Sequence, residues 1–432
     1  MVLALIGAVA VYLFFVQTPS KGELDTALKG VTLVEPSKPV KPSTPAQKPK
    51  PKPHPHVVTT DAPCWPIFGG GPKRNLARVH LDLGRPGKAV WARALHSYIE
   101  FPPSYCQGKL YVNTFRGRTF AIDARTGHVL WMVQGPGSEP STPAIAGDRL
   151  IVTSKVGTVT ALNRANGKIL WRLHLDANVE SSPVVIGRLV YFGASDGRVF
   201  AAYVGTGRIR WAYNTGGIVN SSPTILGNRV FVTTYAGSIF ALNRFNGQRI
   251  WVTFIKRDYV LYDSFYASLS TDGQRLFTIS RSGQVVALRA SDGSVLWTHN
   301  LDTTGYSTPA VANGRIYVGD FNGYLHSYDA VTGNQVWQTY VGGRILGPGL
   351  VVGPLVFFST LEQKTYGLLR SNGRVVWHVG MGKYAPGIAT DRHYFFSLNG
   401  ILVSFRGQQP KKRVVVVEGV HHTRVKHTST TK

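Results

Sequence analysis

The stretch Ala161–Trp171 reads ALNRANGKILW, and Ser327–Trp337 reads SYDAVTGNQVW. Each closes on a tryptophan four residues after a turn glycine, Gly167 and Gly333. Trp91, Trp131, Trp171, Trp211 and Trp251 stand 40 residues apart; Trp297 follows after 46, and Trp337 and Trp377 resume the step of 40. One period, Ser181 to Trp211, contains the runs SSPVVIG, LVYFGAS, RVFAAYV and RIRWAY, separated by Gly187, Asp196-Gly197 and Gly205-Thr206-Gly207. Runs rich in Val, Ile, Phe and Tyr between such turns are strands. No stretch keeps a helical period over three turns. A four-stranded unit repeated at this interval predicts an all-β chain, a β-propeller.

The recurring tryptophan ends up on the fourth, outermost strand, where a large ring cements neighbouring blades. The glycine before it supplies a positive φ in the turn. One identical ring per unit meets a structural need, whereas an aromatic ligand cage would need only one site.

Seven complete units end at Trp377. Three more strands follow in YAPGIAT, HYFFSLN and GILVSFRG, Tyr384 to Gly407, without a tryptophan. KAVWARAL, Lys88 to Leu95, is a fourth strand with nothing ahead of it. Joining the two makes an eighth blade, with the N-terminal strand outermost, and closes the sheet edges of the ring. The expected domains are an apolar membrane anchor or signal segment (1–20), a Pro/Lys-rich linker (21–62), the eight-bladed propeller (63–407) and a basic tail (408–432).

The chain carries 48 Lys and Arg against 22 Asp and Glu, a formal charge of +26, which points to an anionic neighbour. Its first residues, MVLALIGAVAVYLFFVQ, are uncharged, and their 16 leading apolar residues fall short of the roughly 20 that span a bilayer. They read as a membrane anchor, with a cleaved signal peptide as the alternative. PSKPVKPSTPAQKPKPKPHPH, after them, has the composition of extended, solvated chain. Two cysteines, Cys64 and Cys106, behind an export-like segment suggest one disulfide; two buried free thiols are the alternative. A disulfide would place the ring outside the cytoplasm.

The units DARTGHVLW, NRANGKILW, NRFNGQRIW and DAVTGNQVW, with the strand starts STPA, SSPV, SSPT and STPA at Ser141, Ser181, Ser221 and Ser307, resemble the quinoprotein-type (PQQ-like) propeller repeat family. WPIFGGGPKRN, from Trp65, is similar to the segment that opens many members. The resemblance covers about Trp65 to Gly407 and implies an eight-bladed ring. It spans quinone-dependent dehydrogenases and a non-enzymatic, BamB-like branch of outer-membrane assembly. The enzymes pair adjacent cysteines against the quinone and gather acids around calcium. Here the cysteines are 42 residues apart, and Asp123, Asp148, Asp196, Asp292, Asp320, Asp329 and Asp391 fall in turns. No catalytic residue, metal or cofactor is assigned, and the resemblance favours the non-enzymatic branch.

Departures from the repeat locate the candidate docking residues. The six extra residues before Trp297 fall in TFIKRDYVLYDSFY, which sets Lys256 and Arg257 beside Tyr259 and Tyr262. Arg344 and Lys383 occupy the corresponding loops of later units, so these side chains should gather into a positive rim on one face, diluted by Glu139 and Glu180. The expected molecule is a monomeric ring, single-pass in the cell membrane with the propeller on the extracytoplasmic side. It would bind an envelope protein or an anionic cell-surface polymer, and no nucleic acid. The alternatives are a PQQ-dependent oxidoreductase and a cell-wall polysaccharide binding or processing protein.

Overall fold

A computed structural model describes residues 64–257 and 261–408. The apolar start, the linker and the basic tail beyond Gln408 lie outside them, as does Tyr259. Among the described residues no helix is long and apolar enough to cross a membrane.

Eight antiparallel sheets, each with four blade strands, make an eight-bladed propeller. Blade 3 is representative, with strands Val184–Ile186, Leu189–Gly193, Arg198–Tyr203 and Ile209–Asn214 in sequential order. The second and third strands are almost wholly buried because each blade is packed on both sides by its neighbours; the outermost strand alternates, with every other side chain exposed. Blade 8 closes the ring as expected. Arg85–Ala94 pairs with Ile401–Gln408, setting Trp91 opposite Ser404 and Ala89 opposite Phe405. Trp91 also packs on Phe395, ring centroids 5.9 Å apart.

The tryptophans join blades through two contacts at once. Each indole Nε1–H, from Trp91 to Trp337, donates to a backbone carbonyl in the turn before the next blade's outermost strand, at 2.8 to 3.3 Å. The glycine of that same turn lies against the ring face. At Gly207 (φ 74°) a Cβ would come within 2.6 Å of Trp171. The glycine therefore meets two demands, a left-handed backbone and room for the indole; only the first was anticipated from the sequence.

A second belt runs around the opposite face. Thr142 N–H donates to Ser182 Oγ, Ser182 N–H to Ser222 Oγ, Ser222 N–H to Ser268 Oγ, and Ser268 N–H to Thr308 Oγ1, at 2.9 to 3.1 Å. The repeated Ser/Thr-Ser/Thr-Pro motif is thus a chain of inter-blade hydrogen bonds across blades 2 to 6.

The segment WPIFGGGPKRN lies within the ring, and this could not be seen from the sequence. The second residue of each innermost strand turns an unpaired N–H to the channel, and the segment accepts these in turn. Tyr105, Ile145, Ile225, Thr271, Val311 and Val351 donate to the carbonyls of Trp65, Pro66, Pro72, Lys73, Asn75 and Leu76, at 2.8 to 3.2 Å. Ala77–Arg78 then runs parallel to the innermost strand of blade 7. Six of eight blades are stitched to one strap, which satisfies edges that would otherwise stay open. Arg74, fully buried, donates to the carbonyls of Phe68 (3.1 Å) and Pro223 (2.7 Å), and burial lowers its pKa to about 9. Cys64 and Cys106 form a disulfide, Cα atoms 4.4 Å apart, that fixes the strap's start to blade 1. Closing a 42-residue loop in this way restricts the unfolded chain by roughly 4 kcal/mol in the chain-entropy picture.

Glu139 was expected to weaken a positive rim, but it points into the body. It occupies the place of Ile99, Val179, Val219 and Ile345 in other blades and is 3% exposed. Thr119 Oγ1 donates to it at 2.8 Å. Burial raises its pKa from 4.5 to about 7, against the lowering influence of the Thr119 bond and of Arg172.

Two predictions follow from this packing. Gly207→Ala should cost about 3 kcal/mol through left-handed strain plus displacement of Trp171, whereas Gly187→Ala, with an equally positive φ facing open space, should cost about 1 kcal/mol. Denaturant unfolding of the two variants measures the difference, and equal losses would refute the indole contact as the cause. The second concerns pH. The folded state holds the Glu139 proton to about pH 7, while the unfolded chain releases it near 4.5. Stability from this group is therefore full below about 4.5 and is lost as the pH rises to about 7, by an amount of order 3 kcal/mol. Glu139→Gln should flatten that part of the pH profile of thermal unfolding.

Candidate functional site

The strap lies toward one face of the ring, the face of the turns between first and second and between third and fourth strands. The other face, where the chain enters each innermost strand, is left to form a mouth. A collar position recurs there, four residues ahead of each innermost strand, from Glu100 before Ser104 to Lys383 before Gly387. Around the ring it holds Glu100, Pro140, Glu180, Asn220, Tyr266, Tyr306, Leu346 and Lys383. The Ser/Thr belt begins two residues later and fixes the backbone of this collar in blades 2 to 6.

The collar has two unlike halves. On blades 8, 1, 2 and 3, Glu100 feels the charges of Lys155, Glu180 and Lys383. These groups come from loops of blades 8, 1, 2 and 3 on the mouth face. Glu100 keeps partial access to the channel yet lies deep beneath the face, and burial raises its pKa to about 7; the two lysines oppose that shift and Glu180 adds to it. Lys155 Nζ is 3.3 Å from Glu180 Oε1. Lys383 Nζ sits 4.6 Å from the centre of the Tyr98 ring and 5.6 Å from that of Tyr384. Burial lowers the Lys383 pKa, and Glu100 counters it. On blades 4 to 6 the collar is aromatic. Tyr235, Tyr266, Tyr306 and Phe321 form a continuous arc with successive ring centroids 6.1, 5.7 and 6.3 Å apart. Asn220 Nδ2 reaches the Tyr235 hydroxyl at 3.5 Å. The arc gives flat apolar faces edged by hydroxyls, and the charged half gives two carboxylates, one of them paired with an ammonium and the other in the field of two.

The residues expected to form one rim are divided. Lys383 is in the collar. Arg344 borders it, held to Glu362 at 2.7 Å with its guanidinium 5.5 Å from the centre of Phe321, the last ring of the arc. Lys256 pairs with Tyr262 in a small hairpin beyond the outermost strand of blade 4, where Tyr262 is 54% exposed and packs on Phe254 (5.1 Å). Arg257 is exposed beside it and accepts no role in the collar. Phe265 is buried core, while Tyr266 next to it is in the collar. Lys155 and Arg344 are paired with Glu180 and Glu362, so charge near the mouth is mixed rather than positive. Glu100 and the tyrosine arc were missed as a set; aligning each unit on its innermost strand, rather than on its loop length, brings them into one column.

The donors do not fit a calcium–quinone centre. The two cysteines are bonded to each other across 42 residues rather than adjacent in sequence, and among the described residues no three His, Cys, Asp or Glu side chains group as metal ligands. Asp196 accepts turn N–H groups from Arg198, and Asp320 accepts that of Tyr324 and contacts His326 Nε2 at 2.9 Å, buried inside blade 6.

Known proteins agree with this architecture. The outer membrane protein assembly factor BamB of Moranella endobia is 30% identical over 152 residues, 32% of this chain and 39% of that protein. The chain spans less than half the length of the curated relatives it matches. The crystal structure of BamB from Moraxella catarrhalis superposes with a TM-score of 0.65 at 14% identity, covering 74% of this chain and 99% of that one. Quinohemoprotein alcohol dehydrogenase from Comamonas testosteroni gives 0.67 at 14% identity, covering 85% and 82%. At such identity these two likenesses speak to the fold alone. The family described as outer membrane protein assembly factor BamB matches residues 136–260 and 261–417, and the chain belongs to it.

Proposed function

We propose that the ring is an extracytoplasmic, membrane-associated scaffold that holds a segment of another envelope protein at its collar. The observation that carries this is the asymmetry of the channel. One face is strapped by residues 65–76, and the other presents a collar whose positions differ from blade to blade while the belt two residues behind keeps its pattern. Uniform blades with a varied collar are what selective docking needs, since a partner can then engage in one rotational setting only. The disulfide supports an oxidising compartment. The relatives named as assembly factors support a partner among outer-membrane proteins. The apolar stretch at 1–17 supports export, either as a retained span that tethers the ring or as a signal that is removed.

The tyrosine arc favours one alternative, a polysaccharide ligand, because sugar rings stack on flat aromatic faces edged by hydrogen-bonding groups. Isothermal titration with purified wall glycan tests it; no heat would dispose of that alternative.

The scaffold reading makes its own prediction. A photo-crosslinking residue in place of Leu346, on the collar, should join the full chain to one dominant envelope protein in native membranes. Tyr266→Ala with Tyr306→Ala should abolish the adduct while the thermal unfolding temperature changes little. Adducts of equal yield from a crosslinker at Phe245, on the strapped face, would defeat the assignment of the collar.

A further inference from the structure

The strapped face is charged unevenly. On blades 2 to 4 it presents Lys168, Arg188, Arg208, Arg210 and Arg249, with Lys73 of the strap beside them, all exposed. Among the described residues none of these six takes part in an ion pair. Between Arg149 and Asp272 the chain has only five acids, Asp176, Glu180, Asp196, Asp258 and Asp263. Asp176, Glu180, Asp196 and Asp263 all lie in loops of the mouth face, and Asp258 falls in the stretch joining blade 4 to blade 5. The topology has therefore sorted the charges on these blades, leaving a crescent of cations whose one neighbouring carboxylate, Asp148 in the first turn of blade 2, is already paired with Arg149.

Apolar side chains are interleaved with these cations. Ile169, Leu170, Ile209 and Ile250 start the outermost strands just past the turns of this face and are 38% to 48% exposed. Phe245 at a turn tip is 45% exposed, with the Arg244 guanidinium 4.6 Å from its ring centre. Between the strap and blades 3 and 4 lies a groove of about 580 Å³ that joins Lys73, Arg78 and Arg244 to Ile186 and Leu226. Both ends of the described chain also leave here. Cys64 leads into the strap, and Gln408 ends the third strand of blade 8, which runs toward this face. The sequence beyond them is basic, with Lys48, Lys50 and Lys52 ahead and Lys411, Lys412 and Arg413 after.

We propose that blades 2 to 4 turn this face to a bilayer containing anionic phospholipids, which leaves the mouth pointing away from the membrane. A soluble polyanion would reward the arginines and leave the isoleucines and Phe245 in water. A bilayer interface rewards both, the headgroup phosphates taking the cations and the upper acyl region taking the apolar tips. The groove has the lining for one headgroup, with cations at its rim and aliphatic walls. Orientation follows from charge and needs no contact at the collar, so the proposal does not rest on what the collar binds.

The test uses the full chain on vesicles of phosphatidylcholine alone and of phosphatidylcholine with added phosphatidylglycerol. Amide hydrogen exchange is followed in residues 203–210 and 243–250 and, as the reference, in collar residues 98–100 and 304–306. Exchange in the first two segments should slow several-fold on the phosphatidylglycerol vesicles only, recover at high salt, and leave the collar unchanged. The apolar N-terminal stretch would act equally on both vesicles, and the basic linker and tail could recruit the chain to anionic vesicles without protecting these segments, so protection confined to residues 203–210 and 243–250 is what isolates the crescent. The combined variant Arg188→Ser, Arg208→Ser, Arg210→Ser and Arg249→Ser, all at exposed positions, should weaken the anionic-vesicle effect about ten-fold or more, since each basic group near such a surface is worth roughly five-fold. Unchanged thermal unfolding shows that the variant is folded; should it unfold early, the four single variants must each show a partial loss. Equal protection on both vesicles, protection at the collar instead, or protection by a soluble oligonucleotide with none by vesicles would each overturn the proposal.

Discussion

A propeller has to solve a joint problem. Eight twisted sheets must meet their neighbours at a fixed angle all the way around, and the error cannot accumulate because the ring closes on itself. The indole wedge is the interaction that sets this angle. Its ring lies flat on a glycine that has no side chain to hold it off, and its N–H is anchored to a carbonyl of the same turn. Apolar contact and a directional bond then act on one residue, so sliding of one blade past another costs both. Burial of the second and third strands on two sides depends on this spacing being right.

With the angle set from the perimeter, the axis remains to be filled. Innermost strands diverge from a common centre and cannot pair with each other, which leaves their N–H groups without partners. The strap from Trp65 to Arg78 answers this on one face, and the Ser/Thr belt ties the backbone on the other. The two devices divide the molecule. The strapped face has fixed backbone and, on blades 2 to 4, cations outside any ion pair, and the mouth face has mixed charge and a varied set of side chains. The proposed docking and the proposed membrane orientation then fall on opposite sides.

Much of this could be read from the sequence because it repeats. The 40-residue spacing of tryptophans gave the blades, and KAVWARAL without a preceding unit gave the closure, since both are periodic or are visible breaks in a period. The site was less legible. Loop length drew attention to Lys256, Arg257 and Tyr262, but Lys256 bridges to Tyr262 beyond the outermost strand of blade 4, away from the collar. The collar residues carry no common chemistry, so Glu100, Asn220 and Tyr306 look unrelated until the strands place them in one circle. Glu139 reads as a surface acid by composition, and only its column of Ile and Val neighbours reveals it as buried. The strap was legible as a motif but not in its location, because hydrogen bonding to six strands through backbone carbonyls leaves no mark on side-chain pattern.

The pairing of Arg85–Ala94 with Ile401–Gln408 also bears on biogenesis. The partner of the earliest blade strand is the last strand made among the described residues, roughly 300 residues later. At ribosomal speeds the early strand waits on the order of 15 to 60 seconds with an open ladder of donors and acceptors. Throughout that interval the nascent chain is an incomplete arc with two unsealed margins. Such a molecule gains from a holdase during export, and a stalled or truncated product would keep both margins exposed to strand exchange with a second copy.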